Sequence, residues 1–269
     1  MALKNALIAL MAPLPSYFFY TSFLNHYQND QHLLSPLWNW CNRHPLILAN
    51  ILFFLNIDVG FWLISLLQSS NWMIDLYWTV IPVLLTHYFA SHPDGQYNMW
   101  RSSAVVVLTW VWAIRLTHNY FRREKWQWGA REDWRFTDMA QQHGQNWWWV
   151  SFFGVYLIQQ VFLFGVCLPL YIVHSINKPI NIWDVIALIV CVCGIVYAYI
   201  ADTELYTFVT KNEELKEEGK AMVPNLDKGL WMLKQEYRAE SYKMYQKTTS
   251  IWVPWFKSSQ KEVLKEKDI

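Results

Sequence analysis

Arg115, Asn119 and Arg122 stand at i, i+4 and i+7 of one stretch, so a helix running through them carries all three on one face. Arginine forks onto phosphate oxygens with parallel N–H donors, and an asparagine amide both donates and accepts. Arg131 and Arg135 follow closely, and with Glu132 and Asp133 between them these four can pair among themselves or with the hydroxyls of a ligand. Together these residues suit a nucleotide cofactor. They equally suit a solvated loop at a membrane surface whose carboxylates are ordinary partners for its arginines. No residue here is marked as a catalytic acid or base.

The elements that must hold these residues are membrane spans. A hydrocarbon core about 30 Å thick takes roughly 20 apolar residues of helix. About six stretches qualify: Leu3 to Leu24, Leu46 to Gln68, Trp72 to Ala90, Ser102 to His118, Trp149 to His174 and Ile182 to Ala201. The predicted fold is therefore all-α, a polytopic helical bundle. Pro82 interrupts the third span, and Asp58 lies inside the second, where an ionisable group is a functional-site hypothesis because leaving it unpaired is expensive. Lys4 precedes a short apolar run as in a signal peptide, but Pro13 and Pro15 fall where cleavage would occur. Residues 1–201 are expected to form the transmembrane bundle and residues 202–269 a cytosolic polar segment. Within the latter, Lys211 to Gly219 is predicted as a short solvated helix, and Leu230 to Lys247 as an amphipathic helix lying on headgroups.

Composition agrees. Eighteen tryptophans in 269 residues, with 54% apolar content, suit interfacial anchoring by rings whose N–H can reach headgroups. A net charge of +1 argues against a nucleic-acid partner, which needs a basic excess. Arg122, Arg123, Lys125, Arg131 and Arg135 crowd one loop and further Lys and Arg follow Ala201, so both termini are expected in the cytosol, with the endoplasmic reticulum the expected membrane. Cys41, Cys167, Cys191 and Cys193 lack zinc spacings and are expected as small core residues. His87 with His92, and His118 with His143, lack the companions of a metal centre, so no metal is expected.

Three blocks resemble the steroid 5-alpha-reductase-like membrane protein family, in its plant, fungal and bacterial branch. They are Arg115-Leu-Thr-His-Asn-Tyr-Phe-Arg-Arg-Glu with Gly129-Ala-Arg-Glu-Asp-Trp-Arg-Phe; Trp147 to Tyr171; and Ala201-Asp-Thr-Glu-Leu with Pro224-Asn-Leu-Asp-Lys-Gly-Leu-Trp231. The resemblance implies a membrane-embedded reductase that uses NADPH to reduce a carbon–carbon double bond conjugated to a ketone in a lipid or steroid. It also implies cofactor contacts at Arg115, Asn119, Arg122, Arg131, Arg135 and Asp202. After Trp231 the family continues through an Arg-His-Pro-Asn-Tyr-Phe-Gly-Glu block, whereas this chain proceeds from Met232 with what resembles the family's last segment. The chain thus resembles an internally shortened member, and residues 202–269 include the remnant of the reductase's C-terminal domain. The alternative to catalysis is a membrane isoform that binds lipid or associates with a full-length counterpart.

Overall fold

The computed structural model describes residues 2–29, 31–129 and 131–217, and these are helical with no strand among them. Eleven α-helices follow in order: α1 (Ala2–Met11), α2 (Leu14–His26), α3 (Ser35–Arg43), α4 (Pro45–Phe53), α5 (Trp62–Gln68), α6 (Trp72–Ser91), α7 (Met99–Arg123), α8 (Trp134–His143), α9 (Trp147–Ser151), α10 (Ile158–Ser175) and α11 (Ile182–Glu217). Two π-helical stretches, Phe54–Phe61 and Phe152–Leu157, join α4 to α5 and α9 to α10, so each pair runs as one long element. The chain divides after Asp202, and the bundle described below is the first unit.

Five of these segments are long and apolar enough to cross a membrane: Leu3–His26, Pro45–Gln68, Trp72–Ser91, Trp134–Ser175 and Ile182–Glu214. The expected fourth span, Ser102 to His118, does form a helix within α7. That helix falls outside the five because Ser102, Ser103, Thr109, Arg115 and Thr117 lower its hydropathy. Two of those residues meet neighbouring helices: Ser102 is buried, and the Thr117 hydroxyl donates to Thr79 Oγ1 at 2.7 Å.

The bundle is organised around α6, whose apolar window is 67% buried and which packs against both α7 and α10. Hydrocarbon around a bundle removes the usual hydrophobic drive, so close packing and interhelical hydrogen bonds must hold the helices together. The structure supplies both. Trp72, Ile74 and Phe61 are buried; Tyr77 donates to Ala9 O at 2.5 Å, and Trp78 Nε1 to Gln159 Oε1 at 2.9 Å. Each such bond is worth about 0.6 kcal/mol, up to roughly 1.7. Pro82 is accommodated within α6, where the Thr86 hydroxyl donates to the Pro82 carbonyl at 2.7 Å. The two π-helical stretches lie against each other, with Phe54 and Phe152 edge to face at 6.2 Å.

Two local expectations are corrected. Lys211 to Gly219 is not a separate short helix: α11 continues without interruption to Glu217, because nothing after Ala201 breaks the helical pattern. Cys191 and Cys193 are exposed on α11 rather than core residues, while Cys41 and Cys167 are buried as expected. None of the α11 apolar window is fully buried, and both cysteines lie on its exposed surface. The region predicted as an amphipathic helix, Leu230 to Lys247, and the Trp231–Met232 junction lie outside the described residues.

Candidate functional site

At the end of α7 nearest the basic loop, four of the predicted residues meet. Arg115 Nη1 bonds Asp202 Oδ2 at 2.5 Å, tying α7 to α11. Arg122 Nη2 donates to Asn119 Oδ1 at 2.8 Å and to the Asp202 carbonyl at 3.1 Å, so both arginines converge on one residue. The helix makes this possible, since three positions spaced by four and three residues lie on one face. The Arg115 side chain is only 12% exposed, and its Nε is buried with no hydrogen-bond partner among the described residues. A buried guanidinium with an unused donor is a feature that a ligand oxygen would satisfy.

Arg131 and Arg135 are held elsewhere. Arg131 Nη2 donates to Glu124 Oε1 at 3.2 Å and to the Arg123 carbonyl at 3.1 Å. Arg135 forms a two-pronged pair with Asp133, 3.0 Å from Nε to Oδ1 and 2.6 Å from Nη2 to Oδ2. Both arginine side chains are about 60% exposed, at 62% and 60% respectively, which makes them surface pairs of small energetic weight. Asp133 also caps α8 by accepting from the Arg135 N–H at 2.8 Å. Burial alone would raise the Asp133 carboxyl, but the side-chain and backbone hydrogen bonds from Arg135 outweigh it and hold the group below the usual carboxylate range.

The loop between α7 and α8 is fixed by residues that spacing alone did not single out. Glu132 accepts from the Asn71 N–H at 2.8 Å and from Asn71 Nδ2 at 3.0 Å, and the Ser70 hydroxyl donates to it as well. Tyr156 in turn donates to Asn71 Oδ1 at 2.9 Å, so the loop is tied through the start of α6 to the second π-helical stretch. Glu132 therefore anchors the loop and does not pair with its neighbouring arginines. Nothing in the local sequence signals this, because its partners lie about sixty positions away in the chain.

Gly129 packs flat on Trp72: a Cβ there would come 2.5 Å from Trp72 Cδ2, and its φ of +58° also belongs to the glycine region. A glycine amid Trp-Gln-Trp-Gly was the one legible signal of this turn. Just before it, Lys125 and Trp126 adopt left-handed φ values of 51° and 60°, and the Trp126 N–H closes α7 onto the Phe121 carbonyl at 2.8 Å.

A dinucleotide carries phosphate oxygens that need cationic forks and ribose hydroxyls that need a carboxylate or amide. Arg115, Arg122, Asn119 and Asp202 provide that donor and acceptor set in one place, so the cluster fits such a group in chemical type. Arg131 and Arg135 sit on separate carboxylates. Asp58 is fully buried in the first π-helical stretch, with both carboxylate oxygens unpartnered among the described residues. Of the histidines, His87 accepts from Trp110 Nε1 at 2.9 Å, and His92 is buried with its ring stacked on Phe23.

Comparison with known proteins places the same segment in a family. No solved structure matches the chain. A curated relative, "Uncharacterized protein C594.04c" of Schizosaccharomyces pombe, is 25% identical over 175 residues, covering 62% of this chain and 49% of its own length. The chain thus spans about half the length of the curated relative it matches. A family profile described as "Protein of unknown function (DUF1295)" matches residues 61–235, which takes in α6, α7, the anchored loop and Asp202. Since that match covers well over half of the sequence and the whole α7–Asp202 cluster, this multi-pass helical chain belongs to the DUF1295 family.

Proposed function

We propose that this chain is the membrane scaffold of an NADPH-dependent reductase that acts on a carbon–carbon double bond conjugated to a ketone in a lipid or steroid. The observation that carries the reading is the convergence of Arg115, Asn119 and Arg122 with Asp202, which leaves Arg115 Nε buried and unsatisfied. The resemblance of the same blocks to steroid 5-alpha-reductase-like proteins supports it independently. NADPH, when bound, supplies the hydride. The chain's part is to bind and orient: Arg115 and Arg122 neutralise phosphate, while Asn119 and Asp202 take ribose hydroxyls. Arg131 and Arg135 contribute from the loop only by exchanging Glu124 and Asp133 for the ligand. On this reading the basic loop faces the cytosol, where the cofactor is, and the membrane is the endoplasmic reticulum.

Fluorescence titration of the detergent-purified chain with NADPH tests the reading. Saturable binding that Arg115→Ala weakens at least tenfold supports it; tenfold corresponds to about 1.4 kcal/mol, within the range of a charge-assisted hydrogen bond. Absence of binding by this chain, with binding restored when the family's Arg-His-Pro-Asn-Tyr-Phe-Gly-Glu block is inserted at the Trp231–Met232 junction, would refute a cofactor site in the chain as it stands.

That second outcome leaves the non-catalytic reading, an isoform that binds lipid or a full-length partner. A specific observation favours it: Arg115, Arg131 and Arg135 already have carboxylate partners within the chain. Co-purification of the chain with a differently tagged full-length relative from one membrane extract would distinguish a partner role from lipid binding alone.

A further inference from the structure

We propose that the cleft between the first two membrane segments is a binding site for an anionic phospholipid, with one acyl chain in the cleft and the phosphate at Lys4. The cleft has a volume of about 710 Å³, in the range of small-molecule sites, and it lies between α1–α2 and the α4–α5 element. Its walls are apolar, with Ile8, Phe19 and Leu55 among them, and its floor is opened by Gly60, which has no side chain to fill it. Residues 52 to 68 line it along one side and rise roughly 24 Å along a helix, enough to take an acyl chain from the headgroup level past the middle of the hydrocarbon core.

Charge selects the occupant. Lys4 and Gln68 lie together at one end, and among the described residues no carboxylate forms an ion pair with Lys4. Asn5 at the same end donates to the Trp128 carbonyl at 3.0 Å, which fixes the headgroup end of α1 beside the loop that carries Gly129. An ammonium without a counter-ion among the described residues, at the mouth of an apolar cleft in a membrane segment, is complementary to a phosphate ester joined to an acyl chain. A zwitterionic headgroup brings its own cation and gains less there. The site is separate from the Arg115 cluster and stands whether or not the chain binds NADPH.

Native mass spectrometry of the full chain, equilibrated with equal amounts of palmitoyl-oleoyl phosphatidic acid and the matching phosphatidylcholine, reads the preference directly. One phosphatidic acid retained per chain is expected, favoured about fivefold, the effect of one Lys near the membrane surface. Lys4→Ala should remove the preference, with Lys4→Arg restoring it. Gly60→Phe should reduce retention of both lipids; a Cβ at Gly60 meets nothing closer than the Leu55 carbonyl at 3.4 Å, so the backbone has room for a side chain. Equal retention of the two lipids by the unaltered chain would overturn the proposal. So would a preference that survives Lys4→Ala, which would move the anion to the basic loop. NADPH titration of Lys4→Ala should match the unaltered chain, so failure here is distinguishable from failure of the reductase reading.

Discussion

Two arginine–aspartate pairs join α7 to α11, one at each end of the paired helices, and their chemistry differs although their residue types are identical. At the end away from the basic loop, Arg101 grips Asp184 with two bonds, 2.6 Å from Nε to Oδ1 and 2.8 Å from Nη2 to Oδ2. Nη1 and Nη2 also reach the carbonyls of Lys178 and Pro179 at 3.2 and 3.1 Å. That guanidinium is spent on structure. At the basic end, Arg115 holds Asp202 by one nitrogen and keeps a buried Nε without a partner among the described residues, and Arg122 shares the same aspartate through its backbone carbonyl. An ion pair is thus evidence of function only when donors remain after the protein's own acceptors are counted.

The largest effect should come from breaking the saturated pair. Arg101→Ala leaves Asp184 without its fork, and a fully buried pair broken this way costs about 3–5 kcal/mol. Asp184 is 25% exposed, so the loss is smaller than that, and it is read as a fall in thermal unfolding midpoint in detergent. NADPH titration of that variant should be unchanged at temperatures where it is folded.

Gly129→Ala comes next. Strained backbone costs about 1–3 kcal/mol, and contact with Trp72 adds to it. Protease sensitivity should rise first in the loop between α7 and α8, a result that distinguishes local loosening from global unfolding. Uniform cleavage throughout the chain would count against the loop as a separately anchored unit.

Arg115→Ala sharpens the comparison most directly. Its stability cost should be below that of Arg101→Ala, about 1–2 kcal/mol, because one bond is lost where the other pair loses several. Its effect on NADPH binding should be the greater of the two. Equal stability losses with no change in binding would make the two pairs equivalent and remove the functional distinction between them.

The smallest effect concerns pH. Asp133 has a folded carboxyl value below its unfolded one, so its contribution is present above the ordinary carboxylate range and is lost as pH falls through the lower folded value. Because Arg135 is 60% exposed, the gain is about 0.2–1 kcal/mol. Unfolding midpoints between pH 6 and pH 3 should fall less in Asp133→Asn than in the unaltered chain, and an identical slope would show that the pair contributes nothing measurable.

By itself the sequence determined roughly where five spans lie, because bilayer thickness imposes a length that can be counted along the chain. Spans such as Trp72–Ser91 match the expected Trp72 to Ala90 within a residue. It also determined that Arg115, Asn119 and Arg122 share a face, since helical periodicity is local. Span count was harder to read: α7 is helical throughout but too polar to qualify, and its polar groups are explained only by the neighbours they bond.

Tertiary structure alone decided that Arg115 keeps a buried donor without a partner among the described residues. Arg101, Arg115, Arg131 and Arg135 look alike as letters, and their carboxylate partners lie between two and 87 positions away. Glu132, read as a partner for neighbouring arginines, instead ties its loop to Ser70 and Asn71. Local spacing fixes which side chains share a helix face, but hydrogen-bond saturation depends on groups from remote segments brought within about 3 Å, and only packing determines which ones arrive.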